Sequence, residues 1–272
     1  MKWGSTKLPR ENASILLHLL VVLSTISGVM VMQRVQLQKP SLSQETPQNA
    51  EKQEHFRLAV LNKLPSFGFD NLVANWTFLN FIQYYGDEPA RKQTGYSLSP
   101  EYFEIMTQRD PRFVDSYLFL SGSVSHQLGK PKETLRLMQR GMEALSSQNT
   151  SRAFVVWRFA ALDQLLLLGD YSGAIRSFEM ASKWAGQTEE YKELEQVFQN
   201  SANFLKRNPD SRLVRFQAWS LVYEQAIAIG DKPTQVRAER EIIALGGVKR
   251  EQEGREIFVL PESIRSQKSQ KI

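Results

Sequence analysis

The chain has 272 residues, 42% of them hydrophobic, with 34 Lys and Arg against 29 Asp and Glu and no cysteine. That length and apolar content suffice for one large domain or an elongated array. The absence of cysteine excludes disulfides, thiolate nucleophiles and Cys-ligated zinc. A net charge of +5, with both signs interspersed and no aromatic-interleaved basic patch, sets nucleic acid aside as a partner.

Lys2, Lys7 and Arg10 precede an apolar run, 15–32, free of formal charge apart from the titratable His18. As a helix the run rises roughly 27 Å, close to the hydrocarbon thickness of a bilayer. It ends without a good small-residue cleavage pair, which favours a retained transmembrane helix over a secretory signal. Arg34 and Lys39 follow it, so the flanking charge predicts residues 1–14 in the cytoplasm. The bulk of the chain is then extracytoplasmic, periplasmic or lumenal. Residues 33–55 are polar and nearly free of large apolar side chains, and read as a flexible tether.

From Phe56 the pattern is helical to about residue 248, and no sheet is expected. Residues 70–85 are apolar around most of the helix circumference, with Trp76, Leu79, Phe81, Ile82, Tyr84 and Tyr85, which predicts deep burial. Asp70 suits its N-cap, and Ser99 suits the cap of a second helix at 100–108. Asn75, Gln83 and Tyr84 are the polar exceptions on the first helix. Unpaired burial would cost them a few kcal/mol each, roughly, so they either lock neighbouring helices or contact a ligand.

Two Gly turns align further on. Leu128-Gly129-Lys130-Pro131 leads to Thr134, Met138 and Gly141, and Leu168-Gly169-Asp170-Tyr171 leads to Ala174, Phe178 and Ala181 at identical offsets. Spacings of four and three place each trio on one helix face, where alanines admit a close neighbour and Phe178 fills the gap. Gly122 lies where the first helix of such a pair would need a small residue. A third turn, Ile229-Gly230-Asp231, leads instead to Gln235, Glu239 and Ile242. Residues 249–272 are charged around one apolar cluster at 257–260 and read as a docked piece with a disordered tail.

The turns and ladders from about Phe113 onwards resemble tetratricopeptide-repeat proteins, with an interval near forty residues in place of the usual ~34. The Ala-x-Trp helix ending Gln83-Tyr84-Tyr85-Gly86-Asp87, followed by Asp110-Pro111-Arg112-Phe113, is similar to a set of uncharacterised membrane-anchored cyanobacterial repeat proteins. The fold expected is all-α: one transmembrane helix, then an antiparallel helix-pair solenoid of degenerate repeats over 56–248. In the repeat frame, Ser116, Phe119, Ser123 and His126 line a concave groove. Val156, Phe159 and Asp163 follow, then Gln217, Ser220 and Glu224. That surface is mixed and has no Lys/Arg clamp, which points to an extended or helical segment of a protein or peptide.

Chemistry-bearing motifs are sparse. The three histidines are far apart in sequence, and there is no His-x-x-x-His pair and no Gly-x-Ser-x-Gly elbow. Ser121-Gly122-Ser123-Val124-Ser125 lacks the second glycine and reads as small residues where two helices touch. No catalytic residue, metal site or cofactor is assigned. The function expected is a membrane-anchored scaffold or assembly factor that binds a protein or peptide, and not an enzyme. The alternative is a tethered enzyme on the same scaffold, acting on a glycan or peptide.

Overall fold

The computed structural model describes residues 10–38, 46–207, 212–252 and 255–261. They fall into two units, 1–46 and 47–272, each taken here by itself. The first contains α1 (Arg10–Gln38), a helix of 29 residues whose side chains from Leu19 to Val31 are exposed. Among the described residues no helix is long and apolar enough to cross a membrane. The expected span 15–32 is only partly in view, because the side chains of 15–17 and of Met32 lie outside the described set.

The second unit is helical from α2 (Pro47–Lys63) through α3 (Asp70–Gly86), α4 (Glu88–Thr94), α5 (Ser99–Arg109) and α6 (Val114–Leu120). It continues through α7 (Pro131–Ala144), α8 (Phe154–Asp163), α9 (Tyr171–Gly186), α10 (Lys192–Arg207), α11 (Arg212–Ala228) and α12 (Lys232–Ala244). α6 and α8 each run on into a wider π-helical turn, Ser121–His126 and Gln164–Leu168. The fold is all-α but for one element. Residues expected in the C-terminal tail form an antiparallel hairpin, β1 (Val248–Gln252) with β2 (Arg255–Val259). Its tie to the helices is apolar: Phe258 meets Tyr223 edge-on at 5.0 Å, and Leu260 is buried. The remainder of the expected tail, from 262, lies outside the described residues.

The two turns aligned by sequence have the same backbone. Gly129 and Gly169 both adopt left-handed φ, +59° and +68°. The residue after each glycine closes a six-residue loop on the π turn, Lys130 N–H to Val124 O at 3.1 Å and Asp170 N–H to Gln164 O at 2.8 Å. An L side chain at such φ is strained, so glycine is the residue that permits the reversal. Gly230 has φ +71° too, but Asp231 N–H reaches only five residues back, to Ala226 O at 2.9 Å. Asp170 and Asp231 then cap α9 and α12 by accepting from Gly173 N and Thr234 N.

The ladder residues are core. Thr134, Met138, Ala174, Ala181 and, nearly so, Phe178 are buried, and the ring of Tyr117 occupies the place a Cβ on Gly141 would take, 2.5 Å away. Gly122 does not serve the expected close approach, because a Cβ there would meet nothing within 4 Å. The main core runs from α2 to α10. A second core joins Leu167 at the end of α8 to Phe216, Trp219, Val222, Ala238 and Ile242 of α11 and α12. The third helix pair is thus laid across the Gly turns: Trp219 Nε1 donates to Leu167 O at 3.0 Å and Arg237 Nε to Leu128 O at 3.0 Å.

Four expectations at the N-terminal end are corrected. Residues 47–55 belong to α2 and not to a tether, with Ser97 donating to Glu51 and Tyr102 to Glu54 while Leu58 enters the core. Ser99 is fully buried and caps nothing, and Asp70 caps nothing either, since it is the first residue of α3 and pairs with Arg109 at 3.1 Å. α3 buries only Ala74, Thr77, Phe81 and Tyr84. Trp76 and Leu79 are each 58% exposed, because α5 takes one side of α3 and leaves the other open.

Candidate functional site

The groove positions do not share a surface. Ser116 and Ser123 are buried and donate to carbonyls of their own helix, Phe113 O and Phe119 O, each at 2.8 Å. Phe119 packs edge-on against Phe78 at 5.6 Å and near Phe81 and Tyr85, joining α6 to α3. Val156 is core, and Phe159 is half-buried beneath the Arg158 guanidinium at 5.0 Å. Gln217 and Glu224 are exposed on α11, with Ser220 half-buried between them. The repeat frame assigned these residues to one face because it assumed regular stacking. The third pair lies across the turns, so the frame breaks there.

Two of the groove residues do meet, inside the protein. Asp163 is wholly buried at the end of α8, where Ser121 Oγ donates to Oδ1 at 2.8 Å and Ser125 Oγ to Oδ2 at 2.5 Å. Thr134 Oγ1 stands 2.8 Å from Ser125 Oγ, and His126 Nε2 lies 3.9 Å from Oδ1. The π turn after α6 brings both serines to one carboxylate. Burial pushes the Asp163 carboxyl up to about 6 against the pull of the two hydroxyls, and burial holds His126 below its ordinary value. The partners of the two serine hydroxyls are Asp163 and, for Ser125, also Thr134, so neither hydroxyl is set up with His126 as its base.

Of the secondary residues, Tyr84 is structural. Its hydroxyl accepts from Leu98 N at 3.2 Å, and Arg91 stacks 3.7 Å from its ring centre while donating to Gly95 O at 2.7 Å. Asn75 and Gln83 are exposed on the open side of α3.

A cavity of about 480 Å³ opens where α11 and α12 cross the Gly129 turn. Its lining includes Lys130, Lys132, Glu133, Trp219, Arg237, Arg240 and Glu241. Glu133 pairs with Lys130 at 3.3 Å and Glu241 with Arg240 at 3.6 Å. Lys132 and Arg237 have no carboxylate partner among the described residues. Arg237 is held in place by Leu128 O and by Thr234 Oγ1 at 3.5 Å. A Cβ on Gly129 would stand 3.2 Å from Trp219 and 3.4 Å from Arg237 Nε, so glycine also permits this approach. The first turn of α7 adds the positive end of a helix. An excess of positive charge over a largely buried indole suits a negatively charged group next to an apolar one. Sequence reading missed this site because Lys132 and Arg237 are over a hundred positions apart. Among the described residues no cluster of His, Asp and Glu could hold a metal ion.

No family, curated protein or solved structure matches the chain.

Proposed function

We propose that this chain is a membrane-tethered helical-repeat scaffold that holds a protein partner by an acidic segment. The observation that carries the reading is the cavity beside Gly129, with Lys132 and Arg237 uncompensated above Trp219. The matched turns at Gly129 and Gly169 and the buried ladders support a tetratricopeptide-like repeat origin for the first two pairs. The exposed apolar side chains of α1, within a run uncharged over 15–32 apart from the titratable His18, support a single-pass anchor. The excess of Lys2, Lys7 and Arg10 before that run supports a cytoplasmic N-terminus and an extracytoplasmic helical unit.

Asp163 and His126 would be the chemical core of an enzyme on this scaffold, but Asp163 is wholly buried, and no observation favours that alternative. The test is a titration of the detergent-solubilised full chain with a fluorescent polyglutamate peptide. Arg237→Glu should weaken binding by roughly tenfold or more, the loss of a charge-assisted contact of ~1.5–3 kcal/mol. Lys132→Glu should act in the same direction, and added salt should weaken the parent. Equal affinity in parent and variants would remove the cavity as the binding site.

A further inference from the structure

The buried and half-buried arginines of the helical unit divide by what holds them. Arg57, Arg109, Arg140 and Arg152 each pair with a carboxylate. Arg91, Arg215 and Arg237 have no such partner among the described residues. Arg91 is held by Gly95 O and the ring of Tyr84. The other two stand over the two matched turns. Arg237 lies against Gly129, and the guanidinium of Arg215 occupies the place a Cβ on Gly169 would take, with Nη1 2.5 Å away. Arg237 Nε donates to Leu128 O, whereas Arg215 Nε is buried without a hydrogen-bond partner. A guanidinium half out of water with no counter-charge is costly, and an anion supplied from outside relieves that cost.

Arg215 also adjoins the cavity. It precedes Trp219 by one helical turn, so the two share a face of α11. Trp219 lines the cavity together with Leu167 and Leu168, and Gly169 follows them directly. The carboxylate of Asp170, next in sequence, is turned into the start of α9. There it accepts from Gly173 N at 2.8 Å and Ser172 Oγ at 3.0 Å. A planar, forked donor therefore stands beyond the Leu168 edge of the cavity, and a carboxylate is the group that matches its fork.

We propose that Arg215 is a second carboxylate subsite, so that the acidic segment is held at two points, by Arg237 and Lys132 beside Gly129 and by Arg215 beside Gly169. The proposal rests on the reading of the cavity given above and deepens it, since the segment must carry at least two separated carboxylates. Once the first is bound, engagement of the second is intramolecular, which favours segments with several acids over a single carboxylate.

Two fluorescent peptides of equal length test this, polyglutamate and polyglutamine with a single glutamate. Each is titrated against the detergent-solubilised full chain and its Arg215→Gln, Arg215→Lys and Arg237→Glu variants. Arg215→Gln should weaken polyglutamate by roughly three- to tenfold, as a partly exposed charge-assisted contact would. Arg215→Lys should recover part of that loss, and both should bind the single-glutamate peptide nearly as the parent does. Thermal melts of Arg215→Gln should be no lower than the parent's, because the charge removed has no internal counter-ion. Equal polyglutamate affinity in parent and Arg215→Gln, with Arg237→Glu weakened, removes the second subsite and leaves the cavity. An equal loss for both peptides, or a lower melt, makes Arg215 a support of the Gly169 turn and overturns the proposal as well. No loss with Arg237→Glu removes the reading of the cavity itself.

Discussion

Replacing Asp163 with asparagine should flatten the response of stability to acid in a defined window. The carboxyl goes from an ordinary 3.8 to about 6 on folding, because burial removes water that two serine hydroxyls only partly replace. Below pH ~4 the group is protonated in both the folded and unfolded chain and contributes nothing. Between about 4 and 6 only the folded chain keeps the proton, so native stability falls as pH rises. Above about 6 the full cost is present, on the order of 3 kcal/mol for a shift of some two units. His126 acts in the opposite sense. Its depressed value makes its contribution complete above the unfolded value and lost as pH falls, but it is present in both proteins and largely cancels in their difference. Asp163→Asn keeps the shape and can pair with both serines through its amide. Relative to the parent it should therefore gain about 3 kcal/mol between pH 4 and 7, or roughly 6–12 °C in melting temperature for a unit of this size. Melts of the detergent-solubilised full chain by circular dichroism at several pH values read this directly. Parallel pH profiles for parent and variant would refute the burial argument. So would a variant that is less stable at every pH, which would show that the hydroxyls require a full negative charge.

Ala174→Leu and Ala181→Leu should each cost on the order of 1–3 kcal/mol through overpacking, since both alanines are fully buried between helices; unchanged melts would mean that the ladder is not a contact face. Gly141→Ala should destabilise by a similar amount, roughly 1–3 kcal/mol, because its methyl would overlap the Tyr117 ring, and Tyr117→Leu in the same chain should restore part of that loss in thermal melts. The protein should stay in the membrane pellet through a high-salt wash and be released by detergent, as expected for an inserted apolar helix; recovery of a soluble mature chain beginning near Gly28 would show a cleaved signal.

What the sequence made legible was local. Gly129 and Gly169 announce their turns because only glycine is unstrained at that backbone geometry, and equal offsets to Thr134 and Ala174 carry the same helix face inward. The burial of α3 was not legible, since a helix apolar all round gives no period to say which side meets α5. The Asp163 cluster joins residues 38 and 42 positions apart, and a π turn alters the phase that helical spacing assumes. The hairpin was missed because Val248–Gln252 is mostly charged and shows no apolar alternation. The cavity depends on α11 and α12 crossing earlier turns, a tertiary choice that no local pattern records.

The cavity beside Gly129 is proposed to receive an acidic segment of a protein partner. Its most direct test places a photo-crosslinking amino acid at Lys132 in the full chain within native membranes, with a second at Val197 on the exposed side of α10 as reference. Adducts from position 132 should map to an acidic stretch of one partner and disappear when Arg237→Glu is added. Adducts of equal yield from 132 and 197, or adducts at 132 that persist with Arg237→Glu, would contradict it.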